Sequence, residues 1–208
     1  MMKCILLHGL GQSPADWKDT LKHMDGTWEA LCPNLYDWLP ETDPCYDHLY
    51  KGLERYCQSF CGPFVLGGLS LGGILALQYA AEHKNRVSSL ILMGTQFIMP
   101  KKLLKVQNTL FRLLPGAAFK NMPLGKKRMI CLCNSMMDLD LSLSLSGIHC
   151  KTLVLCGKKD KANLQASIQL QQLIHGAQLI TLSHAGHELN KDAPAELGLA
   201  IHSFCEKT

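Results

Sequence analysis

The stretch Leu66-Gly67-Gly68-Leu69-Ser70-Leu71-Gly72-Gly73 decides how the rest of this chain is read. It holds a G-x-S-x-G pentapeptide, Gly68 to Gly72, with an apolar run from Pro63 to Leu69 before it and a helix-forming segment, about Gly72 to His83, after it. A serine hydroxyl is a weak nucleophile in water, and one that reacts must be exposed beside a base. A sharp strand-to-helix turn does this by pushing the side chain into a sterically tight backbone position. Glycines two residues to either side let the strand and helix backbones pass where a Cβ would collide. The pentapeptide alone is a weak signal, but its strand-turn-helix setting makes Ser70 the candidate nucleophile.

Outward from this turn, strand and helix signals alternate. Lys3 to Leu7 reads as a short buried strand, and Ser13 caps a helix with Pro14 at its first position and Trp17, Leu21 and Met24 on one face. Trp28 to Cys32 reads as a weak strand stopped by Pro33, followed by a helix from about Tyr46 to Phe60. Val87 to Met93 is a strong strand. From about Gln96 to Ile148 the rhythm breaks into two helical stretches, roughly Lys101 to Leu114 and Gly125 to Asn134. It resumes with a strand at Thr152 to Cys156, a helix over about Leu164 to Leu173, a strand at Gln178 to Leu182 and a closing helix from about Ala193 to Cys205. Alternation with continuous apolar strands predicts a mainly parallel sheet covered by helices on both faces.

The chain has 208 residues, 47% hydrophobic and 18% charged, which suits a single domain over residues 1–208. No run is long enough for a signal h-region or a membrane span, so a cytoplasmic protein is expected. In that compartment the ten cysteines read as reduced, largely structural thiols rather than disulfides or a metal site, and no C-x-x-C spacing supports a metal. The net charge of +4 is unevenly spread: Lys101, Lys102, Lys105, Arg112, Lys120, Lys126, Lys127 and Arg128 fall between Phe97 and Met137 without one acidic residue. This run reads either as a solvated outer face or as a positive field over a pocket. No aromatic stacking pattern or helix-turn-helix signature accompanies it, which argues against nucleic acid. Lys101 to Leu114 is amphipathic, with Leu103, Val106, Leu110 and Leu113 or Leu114 on one side. Such a stripe packs on the domain or faces a membrane.

In doubly wound folds, chemistry gathers at the carboxyl ends of the strands. Four positions lie just past a strand: His8-Gly9-Leu10, Ser70, Asp160 and His187. His187 is the candidate base for Ser70, and Asp160 the acid that orients the imidazole and stabilises its charged form. Asp138 or Asp140 are alternatives for the acid, and His184 for the base. The backbone N–H groups of Leu10 and Leu71 are candidate oxyanion donors, each worth on the order of 3 kcal/mol in a dry site. Candidate substrate-contacting residues are His8, beside that hole, and Met99, Phe111 and Phe119, with Met122 nearby; core packing is the alternative for the apolar ones.

With these residues in place the chain resembles the α/β-hydrolase superfamily over nearly its whole length. The motifs are His8-Gly9, the Gly68-Leu69-Ser70-Leu71-Gly72 elbow, Leu155-Cys156-Gly157-Lys158-Lys159-Asp160 and Gly186-His187, in the order Ser, Asp, His. The resemblance implies a three-layer α/β-hydrolase fold with a small helical cap at about 97–148. Two departures, no leading hairpin before the first strand and no Gly-rich turn at Pro33-Asn34-Leu35, point to a trimmed sheet of about six strands and a more open site. The expected activity is a serine hydrolase, a carboxylesterase or thioesterase acting on a small to medium acyl group through an acyl-enzyme, with no cofactor or metal. Two other readings remain at this stage: a cofactor-free lyase of the menaquinone-pathway type acting on an anionic substrate, and a non-catalytic binding protein on the same fold.

Overall fold

The computed structural model describes residues 2–24, 28–119 and 122–206, and within helix 101–113 not the side chains of Lys102, Leu103 and Gln107. The expectations for Lys120, and for the side chains of Lys102 and Leu103, therefore lie outside the described residues. Strands β1 (Met2–Leu7), β2 (Trp28–Leu31), β3 (Phe64–Leu69), β4 (Val87–Met93), β5 (Lys151–Gly157) and β6 (Gln178–Leu182) form one six-stranded sheet in the order β2-β1-β3-β4-β5-β6. Every pairing is parallel. The helices are α1 (Lys18–Leu21), α2 (Tyr46–Gln58), α3 (Leu71–Glu82), α4 (Lys101–Leu113), α5 (Lys126–Ser135), α6 (Lys161–Leu173), α7 (Leu189–Asp192) and α8 (Pro194–Glu206).

The continuous apolar strands are explained by two cores, one on each face of the sheet. Successive side chains of a strand point to opposite faces. Ile5, Leu7, Leu66, Leu90, Leu92 and Val154 thus meet α2, α3, α6 and the segment between β4 and β5. Cys4, Leu6, Val65, Ile91, Met93, Leu153 and Leu155 meet Trp17, Met24 and the closing helix through Leu197, Ile201 and Phe204. All ten cysteines are free, and Cys4, Cys57, Cys133, Cys156 and Cys205 are buried within the structure. Among the described residues no helix is long and apolar enough to cross a membrane.

Local structure departs from the sequence reading in three places. The segment after Ser13 begins as a 3-10 turn, Pro14–Trp17, before the short α1, because the Asp16 carboxylate accepts the Ser13 N–H at 2.7 Å and tightens the entry. The Pro- and Asp-rich loop before α2 contains a second 3-10 turn, Leu35–Trp38, in which Asn34 accepts from the Tyr36 N–H. Finally, α7 follows directly on His187 and Glu188, where no helix is expected; its four residues are too few for a periodic apolar pattern.

The strand order sets where a site can form. From β1 the chain builds outward to β2, then returns across β1 to add β3 through β6 on the other side. The crossovers following β1 and β3 therefore diverge to opposite faces, opening a crevice at the carboxyl ends of these two strands. His8-Gly9 lies at one lip of that crevice and Ser70 at the other.

Candidate active site

Ser70 joins β3 to α3 with φ 52° and ψ −111°. It is one of two non-glycine residues with positive φ among those described, the other being Asp43. A backbone held there costs roughly 1–3 kcal/mol and persists only when its surroundings enforce it. The enforcement is visible: the Ser70 N–H donates to the Met93 carbonyl at 2.8 Å, tying the turn to β4. A Cβ on Gly68 would fall 2.2 Å from the Gly72 backbone, and one on Gly72 would fall 2.3 Å from the Leu7 carbonyl oxygen. Only glycine permits this approach of α3 to β3 and β1.

His187 Nδ1 lies 2.7 Å from Asp160 Oδ2. The histidine side chain is 42% exposed and the aspartate 5%, so the pair has one buried end and one end reached by solvent. The Asn163 amide nitrogen donates to both Asp160 oxygens, at 2.9 and 2.8 Å, and Gln96 donates to the Asn163 side-chain oxygen at 2.8 Å. Burial raises the Asp160 carboxyl, but the bonds from His187 and Asn163 outweigh it and hold the group below the usual carboxylate value. Asp160 therefore stays anionic at neutral pH, and His187 Nδ1–H donates to it. Asp138 instead pairs at the surface with Lys101, and the Asp140 carboxylate accepts from the Ser142 N–H. His184 is exposed and does not line the cavity.

The Asn163 bonds carry a test. Their loss in Asn163→Ala is expected to raise the Asp160 carboxyl. A carboxyl held low in the folded state adds stability above its unfolded value, about 3.9, and loses it as pH falls through the folded value. Asn163→Ala should therefore be less stable than the wild type at neutral pH, by a difference that shrinks as pH falls through the Asp160 value, and its acid-unfolding midpoint should move to higher pH. An unchanged midpoint would show that these bonds do not set the Asp160 charge.

On the opposite lip, the loop after β1 has spent most of its N–H groups. Gly9 N–H donates to Gln12 Oε1, Gly11 N–H to the Tyr36 hydroxyl, and Gln12 N–H to the Gly9 carbonyl. Among the described residues Leu10 N–H has no acceptor. Leu71, the first residue of α3, likewise has an N–H without an intrahelical acceptor. Both residues line the same cavity as Ser70 and His187.

That cavity has a volume of about 300 Å³. Met99, Leu104, Phe111, Met122, Met129 and Met136, all from the segment between β4 and β5, supply its apolar wall. Cys133 also lines it, but burial pushes its thiol up to about 11, so it is protonated and poorly nucleophilic at neutral pH. Glu188 is the acidic residue of the lining, its carboxylate bound by Gln12 and Lys191. Among the described residues no lysine or arginine lines the cavity.

Ser70, Asn163, His187, Leu10, Leu71, Met99 and Phe111 thus meet at one cavity. Ser70 and His187 line the same cavity without a hydrogen bond between them; such catalytic contacts often tighten only in the substrate complex. Two expected substrate contacts are corrected. His8 is fully buried and does not line the cavity: its Nε2 accepts the Leu35 N–H at 3.1 Å and its Nδ1 lies 2.9 Å from the Gly9 carbonyl. Burial holds its imidazole below the ordinary value, so it is a neutral brace of the loop that carries Leu10. Phe119 is also buried and packs edge-on behind Phe111, ring centroids 5.5 Å apart, rather than lining the cavity. Gln12, Gln96 and Asn163 were not expected from the sequence. Asn163 had a usable signal, three residues beyond Asp160 at a helix start, whereas Gln12 meets Glu188 and Asn190 across most of the chain.

Residues 4–198 match the model of a family described as the alpha/beta hydrolase family. No curated protein matches the sequence. Among solved structures, the enol-lactonase from Burkholderia xenovorans LB400 is similar with a TM-score of 0.86 at 17% identity, over 99% of this chain and 91% of that one. A thermophilic esterase from Thermogutta terrifontis superposes with a TM-score of 0.83 at 22% identity, over 100% and 90%. MenH from S. aureus does so with a TM-score of 0.83 at 17% identity, over 99% and 94%. At these identities the likeness is one of fold.

Proposed function

The chain belongs to the alpha/beta hydrolase family and is a hydrolase, and from its site we propose that it is a serine hydrolase cleaving a carboxylic ester or thioester of a small to medium acyl group. The observation that carries this is the buried Asp160 holding a solvent-facing His187 at the cavity that exposes the strained Ser70. Rotation of the serine side chain brings Oγ to His187 Nε2. The oxygen then attacks the acyl carbon as the imidazole takes its proton, and Asp160 stabilises the cation. The tetrahedral oxyanion is received by the Leu10 and Leu71 N–H groups. Collapse expels the alcohol or thiol, which takes the proton from His187 and leaves an acyl-serine. Water, deprotonated by the same histidine, attacks that ester, and the acid departs as Ser70 regains its proton.

The segment 97–148 serves on this reading as the cap of a single domain, its methionines and Phe111 forming an adaptable wall for the acyl chain. With Glu188 in the lining and no lysine or arginine there among the described residues, the cavity favours a neutral acyl group over the carboxylate-rich substrate of a lyase. Described members of the basic run are engaged elsewhere: Lys101 pairs with Asp138, Lys126 binds the carbonyls of Arg112 and Leu114 at the end of α4, and Arg128 binds the Pro40 carbonyl. The test is a panel of neutral aryl esters and acyl thioesters of graded acyl length. Turnover is expected to peak at short to medium chains and to fall as they outgrow a cavity at the small end of ligand pockets. Hydrolysis of no member of the panel, with no labelling by a fluorophosphonate, would overturn the reading.

A further inference from the structure

Helix α4 is apolar on two opposite sides. Successive helical residues step by about 100°, so Leu104 and Phe111, which line the cavity, share one side with buried Asn108. Val106, Leu110 and Leu113 fall on the other side and are 67%, 53% and 78% exposed. With Lys105 and Thr109 they form a shallow groove at the surface. A helix on a globular protein ordinarily turns its apolar stripe inward and polar residues outward. Here the inward side is occupied by other residues, so the outer stripe has no packing role in the described structure.

The charges beside that stripe have one sign. Lys101, Lys105 and Arg112 recur at four and seven residues and form one edge of the stripe. Lys101 is paired with Asp138, whereas neither Lys105, Arg112 nor Lys127 forms an ion pair among the described residues. The whole run from 97 to 137 contains no acidic residue. An exposed apolar strip with a cationic border complements an anionic bilayer: the apolar side chains enter the boundary between headgroups and acyl chains, and the cations meet the phosphates. An acidic protein surface would satisfy the cations and leave Val106, Leu110 and Leu113 without a matching apolar environment.

We propose that the outer face of α4 is a docking surface for an anionic phospholipid bilayer, with Val106, Leu110 and Leu113 inserted and Lys105 and Arg112 at the headgroups. Because the opposite side of the same helix walls the cavity, docking sets the candidate active site against the membrane. Flotation with vesicles of phosphatidylcholine alone, or of two parts phosphatidylcholine to one part phosphatidylserine, tests this without any need for turnover. The wild-type protein and Ser70→Ala should bind the anionic vesicles equally and the neutral ones weakly, and salt should release them. Leu110→Ser/Leu113→Ser should weaken binding by about tenfold or more, and Lys105→Glu/Arg112→Glu by at least as much. All four positions are exposed and outside the cavity, so both variants should hydrolyse a soluble ester as the wild type does. Three results would each overturn the proposal. They are failure of the wild type to bind anionic vesicles, equal binding of both vesicle types in every variant, and a dimer that Leu110→Ser/Leu113→Ser dissociates without vesicle binding.

Discussion

Ser70→Ala is expected to lower ester turnover by about ten-thousand-fold or more, with the acyl-enzyme and fluorophosphonate labelling both lost. The size follows from what is removed. Without Oγ no acyl-serine forms, and only water positioned by His187 and the Leu10 and Leu71 N–H groups remains to attack. The turn itself should survive, because its hydrogen bond to the Met93 carbonyl uses the backbone N–H of residue 70. A urea midpoint close to wild type would therefore accompany the lost activity. His187→Ala should fall by a comparable factor. The double variant should be little worse than either single one, since groups acting as a unit are not additive. Retained hydrolysis in Ser70→Ala would rule out the acyl-serine mechanism, and an additive double variant would separate His187 from Ser70.

Gly72→Ala is the second large effect, and it acts on the fold as much as on the chemistry. The added methyl would lie 2.3 Å from the Leu7 carbonyl oxygen, 2.6 Å from its carbon and 2.7 Å from the Leu7 Cβ. Two of those three atoms are backbone in the middle of the parallel sheet, so no side-chain rotation relieves the clash. Either α3 lifts away from β1 or β1 shifts in register, and both moves displace Ser70 and the Leu71 N–H. A loss of about 3 kcal/mol or more is expected from overpacking against an unyielding neighbour, read by urea unfolding and accompanied by a fall in turnover. Gly116→Ala is the control: among the described residues nothing lies within 4 Å of its added methyl, and its stability should stay within about 0.5 kcal/mol of wild type. Equal midpoints for the two variants would mean that the close approach of α3 to β1 is not what holds the turn.

The elements that could be read before the structure are those set by neighbours a few residues away. The continuous apolar runs at Phe64–Leu69 and Val87–Met93 specify buried parallel strands, and their bounds agree closely with the sheet. Gly68 specifies the turn through a local steric limit, since a Cβ there would fall on the Gly72 and Gly73 backbone, whereas the need for glycine at 72 arises from distant Leu7. The order of Ser70, Asp160 and His187, each past a strand end, could be read for the same reason. Less legible was His8: a histidine after a strand looks the same whether its ring faces a cavity or braces a loop, and only its bond to the Leu35 N–H separates the two. Phe119 is ambiguous in the same way, because an aromatic near Phe111 can either line a pocket or support its wall.

What the sequence by itself determined is therefore the alternating α/β architecture, the strained turn at Ser70 and the types of residue available at the strand ends. Backbone sterics and apolar periodicity are short-range and leave a direct trace in consecutive residues. Only the tertiary structure decided that Gln96 holds Asn163 against Asp160, that Gln12 is bound to Glu188, that no lysine or arginine lines the cavity among the described residues, and that α4 turns one apolar side inward and one outward. The two hydrogen bonds join residues 67 and 176 positions apart, and the other features depend on which side of a helix meets the sheet. No spacing rule encodes them: they arise when the divergence of β1 and β3 brings distant loops to one crevice.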